Sequence, residues 1–257
     1  MKRLVATGLC LCLLATVPVD AGVVMQLVSK DPTGNVTNRM NFFVLDGMVR
    51  MDESDGNMSM LFLGNGMTVL DHKERSYLVM DDAMIEQLQA AMQKMQAQLA
   101  AMPPEQRAMV EQMMQGKMPG GGETPPPPRI ESLGSGEWGD YACDRYAVYA
   151  GGQKIEEICA AALGKVTGGD EVMAAFRGMA AYLRKIIESM PAPMASMMGN
   201  NPIGYMEQIK GFPVQNISFQ SGQVSDETTL ESVREENVDT GMFSPPDDYR
   251  RQDPGLR

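Results

Sequence analysis

Methionine is the residue type with chemical potential in this chain, at 25 copies against 7 phenylalanines. Its thioether sulfur is a soft ligand for Cu(I). Two groups have spacings that could converge on an ion: Met109 with Met113, and Met194 with Met197 and Met198. No Cys or His joins either group, so the simpler reading is that methionine serves as a flexible filler of irregular apolar surface. His72 is the single histidine. It stands between Asp71 and Lys73 with no nucleophile or ligand set beside it, so it reads as a polar turn residue and not as a general base. Asp52-Glu53-Ser54-Asp55 lacks the spaced ligands and terminal Glu of a calcium loop. Phosphate loops, nucleophile elbows and zinc spacings do not occur. Asn35, Asn57 and Asn216 each open a match to the glycosylation acceptor pattern, a three-residue motif that carries little weight by itself. The sequence therefore calls for no catalytic residue, no metal site and no cofactor, and an enzyme ranks last among its function classes.

The remaining reactive groups are four cysteines. Cys10 and Cys12 lie in an N-terminal segment with the grammar of an export signal: Lys2 and Arg3, an apolar run from Leu4 to Val17, and small residues at Val19 and Ala21. Residues 1–21 are expected to be cleaved, leaving Gly22 first. The apolar run falls short of the roughly 20 residues that a membrane span needs, and no later stretch approaches that length. Cys143 and Cys159 remain. In an oxidising compartment a lone pair most simply forms a disulfide, and without companions it is a poor zinc site.

Charge excludes further classes. The whole chain carries −11; losing two of its 22 basic and one of its 33 acidic residues with the signal leaves 20 against 32, or −12. Such a surface repels phosphate backbones and anionic membranes, so nucleic acid is not an expected partner. At this length a single domain over 22–249 is the default.

The elements follow from pattern. From Val23 to Met80 short apolar runs alternate with turns. Asp46-Gly47, between Met40–Leu45 and Met48–Asp52, has the signature of a two-residue hairpin turn. Met58–Leu63 and Met67–Asp71 flank Gly64-Asn65-Gly66, and Ser76–Met80 follows, so the segment reads as an antiparallel meander. Met58, Met60 and Phe62 share one face while Leu61 and Leu63 share the other. Both faces are thus apolar and must be covered or curled around something. After Asp81-Asp82, a helix-starting pair, Ile85, Leu88, Met92, Met95, Leu99 and Met102 recur in steps of three and four and form one helical stripe. These six are the candidate ligand-contacting residues, with an ordinary core face as the simpler alternative. Pro103-Pro104 ends this helix and starts another that carries Met109, Val110, Met113 and Met114. Residues 116–128, with a Gly run and four successive prolines, form a linker or long loop.

Strands are expected again at Arg129–Leu133 and from Trp138 to Tyr149. A three-residue Ala150-Gly151-Gly152 loop would set Cys143 directly opposite Cys159 and Arg145 opposite Glu157, whereas a two-residue loop would put the cysteines on opposite faces. Asp170–Met190 reads as an amphipathic helix with Val172, Met173, Phe176, Met179, Leu183, Ile186 and Ile187 inward. Extended segments follow at Phe212–Phe219 and Thr228–Glu236, with a turn at Ser221-Gly222. Phe243-Ser244-Pro245-Pro246 closes the fold, and 250–257 is expected to fray.

The order of these features, with Gly47-Met48-Val49-Arg50-Met51, Asp71-His72-Lys73, Met102-Pro103-Pro104-Glu105-Gln106-Arg107, Tyr141-Ala142-Cys143-Asp144-Arg145-Tyr146 and Gly211-Phe212-Pro213-Val214, resembles a bacterial periplasmic family of unknown function. That family is itself similar to the outer-membrane lipoprotein carriers LolA and LolB. The resemblance implies an α+β fold, a curved antiparallel sheet in the form of an incomplete barrel covered by Met-rich helices, whose concave side can hold acyl chains. It implies no catalytic residue.

The functional expectation is a periplasmic, non-enzymatic carrier or chaperone-like protein for an apolar ligand or an apolar segment of a partner protein. Copper(I) handling through the Met groups and a structural role in an envelope assembly are the alternatives.

Overall fold

A computed structural model describes residues 21–103, 106, 128–189 and 208–252. The expected signal segment, the second Met-bearing helix, most of the 116–128 loop, Met194, Met197 and Met198, and the last five residues lie outside the described residues.

The meander forms as its turns dictate. Strands β1 (Ala21–Lys30), β2 (Val36–Leu45), β3 (Met48–Glu53), β4 (Met58–Phe62), β5 (Gly66–Asp71) and β6 (Ser76–Asp81) pair antiparallel in succession. At the first tight hairpin Asp46 and Gly47 both take positive φ, 51° and 78°, the two-residue geometry expected of that dipeptide. Asp81 then caps helix α1 (Asp82–Ala101), its Oδ1 accepting the Met84 amide at 2.9 Å. The second half adds β7 (Arg129–Trp138), β8 (Tyr141–Ala150), β9 (Gln153–Ala161), helix α2 (Gly169–Ser189), β10 (Phe212–Gln220), β11 (Gln223–Asn237) and β12 (Arg250–Arg251). Ser221 and Gly222 repeat the positive-φ hairpin between β10 and β11.

These strands make one sheet in the order β12-β6-β5-β4-β3-β2-β1-β11-β10-β9-β8-β7, mixed because β12 runs parallel to β6 while every other pair is antiparallel. This corrects the α+β expectation. Twelve strands dominate, and among the described residues only two α-helices occur and the sheet is not covered by Met-rich helices. The helical period of the sequence was sound, but it says nothing about what a helix packs on; among the described side chains of α1, Ile85 packs against the core.

Helix α2 is the element that crosses the inner face. Cross-strand neighbours Val23, Val44, Val49, Phe62, Met67 and Met80 form a transverse row over six strands. α2 runs along this row. Gly168, just before it, sits so close to Val23 that a Cβ there would lie 2.2 Å from a Val23 methyl. Further on, Gly178 faces Phe62, and the Tyr182 hydroxyl donates to the Met80 carbonyl at 2.7 Å. One core cluster joins these side chains to Cys143, Cys159, Phe212 and Leu230 from the other half of the sheet. A helix of 21 residues spans about 32 Å, enough to cross these six strands but less than the roughly 50 Å of all twelve.

The outer face is closed by the chain's own C-terminal segment. Val238 and Phe243 bury Val24 and Leu45, Arg50 donates to the Met242 carbonyl at 2.7 Å, and Arg250 and Arg251, the opening of the tail expected to fray, pair with Ser76 and Tyr77.

Cys143 and Cys159 form a disulfide with Cα atoms 5.4 Å apart. The register that leads to it differs from expectation. The β8–β9 loop has two residues, Gly151 and Gly152, and a bulge between Val148 and Tyr149 restores the parity that this loop alone would invert. Cys143 pairs with Ala161 and Arg145 with Cys159, so the bridge and the Arg145–Glu157 ion pair are both diagonal. β7 likewise continues unbroken to Trp138, absorbing Leu133 as a bulge.

Candidate functional site

A second transverse row lies beside the one under α2: Met25, Phe42, Met51, Met60, Val69 and Leu78, each paired with the next across β1 to β6. Met25 and Phe42 are buried, and the Phe176 ring meets Phe42 edge-on with centroids 5.8 Å apart. Beyond them Met51, Met60, Val69 and Leu78 are only half-buried, as are Leu27 and Met40 at the start of a third row. The inner face is therefore broader than the helix that crosses it, and a strip of Met, Val and Leu side chains continues past its edge.

At its β1 end this strip runs into a cleft. β10 pairs with β11 only from Gln215 opposite Thr229 outward, whereas Phe212 and Pro213 pair with β9 alone and Leu230 onward pairs with β1 alone. The two strands part, and the gap is flanked by bulges at Pro213/Gln215 in β10 and at Gln26/Leu27 where β1 meets β11. Proline at 213 brings no amide hydrogen to such a gap. The resulting cleft of about 210 Å³ is lined by Met25, Leu27, Phe176, Phe212, Pro213 and Leu230, with Gln215, Asn216, Thr228 and Thr229 around them.

Most of its polar atoms are accounted for. Gln215 Nε2 donates to Glu227 Oε1 at 2.6 Å, and the Thr228 and Ser29 hydroxyls are 2.8 Å apart. Asn216 Oδ1 is the exception, being buried with no hydrogen-bond partner in the protein.

The six stripe residues fare differently. All but Met102 lie on α1; Ile85 packs against the core and Met102 is exposed. The side chains of Leu88, Met92, Met95 and Leu99 lie outside the described residues. Neither Ile85 nor Met102 lines the cleft. What lines it instead comes from α2, β1, β10 and β11, which meet only through long-range pairing. The sequence signals were Phe176 on the inward side of the second helix and Phe212-Pro213 at a strand start.

His72 takes a structural position. Its Nε2 lies 2.7 Å from the Ser59 hydroxyl and its Nδ1 2.7 Å from the Tyr249 hydroxyl. Asp55 closes a turn, its carboxyl held below the usual range first by the Asn57 backbone amide and then by the Asn57 side chain. Burial, with Asp82 and Asp81 adding to it, pushes the Tyr182 phenol up. Burial also raises Glu171, against the opposing amide of Asp46, with the Asp46 and Glu235 charges adding to the rise. Among the described residues no three His, Cys, Asp or Glu side chains come together as a metal site, and no helix is long and apolar enough to cross a membrane.

Neither a protein-family model nor a curated protein sequence matches the chain. Among solved structures it is similar to an uncharacterized conserved protein from Thermus thermophilus, at 5% identity and a TM-score of 0.44 over 91% of each chain. PNGF-II gives 8% identity and a TM-score of 0.42 over 91% of this chain and 31% of that one. The Pseudomonas aeruginosa MucA/MucB complex gives 7% and 0.38 over 90% and 58%. Likenesses this loose carry no argument about function.

Proposed function

We propose that this chain is a non-enzymatic carrier that holds an apolar ligand on the inner face of its sheet, in the periplasm. One observation carries the reading: the half-buried strip Met51, Met60, Val69 and Leu78 extends beyond α2 and leads to a mostly apolar cleft. Ligand sites are concave, largely apolar and furnished with a few polar groups. Methionine suits a face that must repack around a variable chain, because its unbranched side chain is soft and adaptable. The Cys143–Cys159 disulfide agrees with an oxidising compartment, and the signal-like N-terminus with export to it. Kinship with the LolA and LolB carriers belongs to the same proposal.

Native mass spectrometry of the full chain purified from the periplasm, followed by solvent extraction of whatever it carries, tests this. The expected result is a mass increment that disappears on extraction and an apolar molecule in the extract. Protein of bare mass that also takes up no fatty acid or apolar dye contradicts the proposal.

A further inference from the structure

We propose that Met51 and Met60 form a reversible modification site, oxidised by peroxide to methionine sulfoxide, and that the oxidised strip loses its affinity for an apolar ligand. The inference rests on the carrier reading and adds to it the reaction that switches the strip off.

Packing in the core sorts the methionines by reach. Met25, Met67 and Met173 belong to the cluster around α2 and are 1%, 4% and 5% exposed, so an oxidant meets them only if the core opens. Met51 and Met60 stand directly opposite one another on β3 and β4 and are half-buried in the strip beyond the helix edge. In the reaction the sulfur lone pair attacks one oxygen of hydrogen peroxide and the O–O bond breaks. The proton on the transferred oxygen passes to the departing hydroxide, which leaves as water. Sulfur is oxidised by two electrons and the peroxide is reduced by two. The product is a polar side chain in place of a flexible apolar one, and methionine sulfoxide reductases reverse the change.

The described neighbours offer a sulfoxide no donor. Phe42 stands opposite Met51 and Val69 opposite Met60. Two residues along the same face are Val49 and Glu53 on β3, and Met58 and Phe62 on β4. All are apolar except Glu53, whose ionised carboxylate only accepts. In the free protein water solvates the new oxygen at this half-buried position. An apolar ligand lying on the strip displaces that water and leaves the oxygen unpaired, a cost that weakens binding by about tenfold or more.

The test measures uptake of an environment-sensitive apolar dye by the full chain before and after hydrogen peroxide, at an exposure that leaves the circular dichroism unchanged, with peptide mapping to locate the sulfoxides. Oxidation is expected at Met51 and Met60 and not at Met25, Met67 or Met173. Dye affinity is expected to fall about tenfold and to recover with sulfoxide reductases. Replacing Met51 and Met60 together by Leu keeps the strip apolar at similar volume, and this variant is expected to retain its uptake after peroxide. Replacing Met48 and Met242 by Leu removes two half-buried methionines of the outer face, and this variant is expected to lose uptake as the unsubstituted chain does. Uptake unchanged by oxidation, equal loss in the two variants, or Met51 and Met60 left unoxidised overturns the inference and leaves the carrier reading standing. No uptake before peroxide counts against the carrier reading itself. Should the Met51→Leu, Met60→Leu variant not fold, mapping of the unsubstituted protein decides. Bound dye is expected to slow sulfoxide formation at Met51 and Met60 but not at Met48 and Met242, and equal rates with and without dye overturn the inference.

Discussion

The hydroxyl of Tyr249 lies 2.7 Å from Nδ1 of His72, joining the C-terminal segment to the turn after β5. The far side of the same ring meets Ser59, whose hydroxyl accepts from Arg50 at 3.2 Å, and Arg50 in turn holds the Met242 carbonyl. The single histidine thus pins a strap across the outer face, where Leu61 and Leu70 are fully buried. Tyr249→Phe removes one hydrogen bond and keeps the ring. It is expected to lower stability by about 1 kcal/mol, read as a fall in the urea midpoint at constant slope.

Gly168 takes φ of 62° and turns the chain into α2 against Val23. Gly168→Ala sets a side chain in a disfavoured backbone region and drives a methyl into Val23, whose own side chain is fully buried. The expected cost is about 2–4 kcal/mol, combining the positive-φ penalty with overpacking. Thermal unfolding measures it, and Gly164→Ala, where nothing lies within 4 Å of the added carbon, is the control.

The disulfide spans a sequence separation of 16. Replacing both cysteines with serine is expected to cost about 2–3 kcal/mol in chemical denaturation, chiefly by freeing the unfolded chain. Because the bridge is diagonal, substituting Arg145 should leave it formed, and mass analysis under non-reducing conditions checks that.

Asp31 has its carboxyl lowered to about 2, first by the side chains of Thr33 and Asn35 and then by the Asn35 backbone amide. A depressed carboxyl stabilises the fold above its unfolded value, near 3.9, and that contribution is lost as pH falls toward about 2. In the Asn35→Ala variant the carbon resonance of this carboxyl should titrate at a higher pH than in the unsubstituted protein.

Local chemistry made part of the fold legible. Asp46-Gly47 fixed a hairpin, Asp81 capped α1, and the apolar period of 172–187 located α2 within a residue or so at each end. The two-faced apolar strands were expected to be covered on both faces or to curl around something; α2 lies on one face and the C-terminal segment on the other. The identity of those covers was out of reach, because it depends on contacts distant in sequence: α2 crosses six strands, and Val238 to Arg251 crosses the opposite face. The β8–β9 register was misread because a bulge leaves no mark in composition, and one extra residue in β9, Ile155 opposite Val148 and Tyr149, reverses the facing of everything beyond it. The cleft was illegible for the same reason, since it exists where the pairing of β10 and β11 stops. Asn216 stood out in the sequence only as part of a glycosylation pattern.

The central claim, that the inner strip beside α2 receives an apolar ligand, is tested most directly by saturable uptake of an environment-sensitive apolar dye in two charge variants. Met60→Glu places a carboxylate in the strip, and Leu133→Glu places one on β7, where Leu133 is 46% exposed. The account predicts one-to-one uptake by the unsubstituted chain, weakened about tenfold or more by Met60→Glu through the cost of burying a charge and unaffected by Leu133→Glu. Uptake that both variants preserve equally would contradict it.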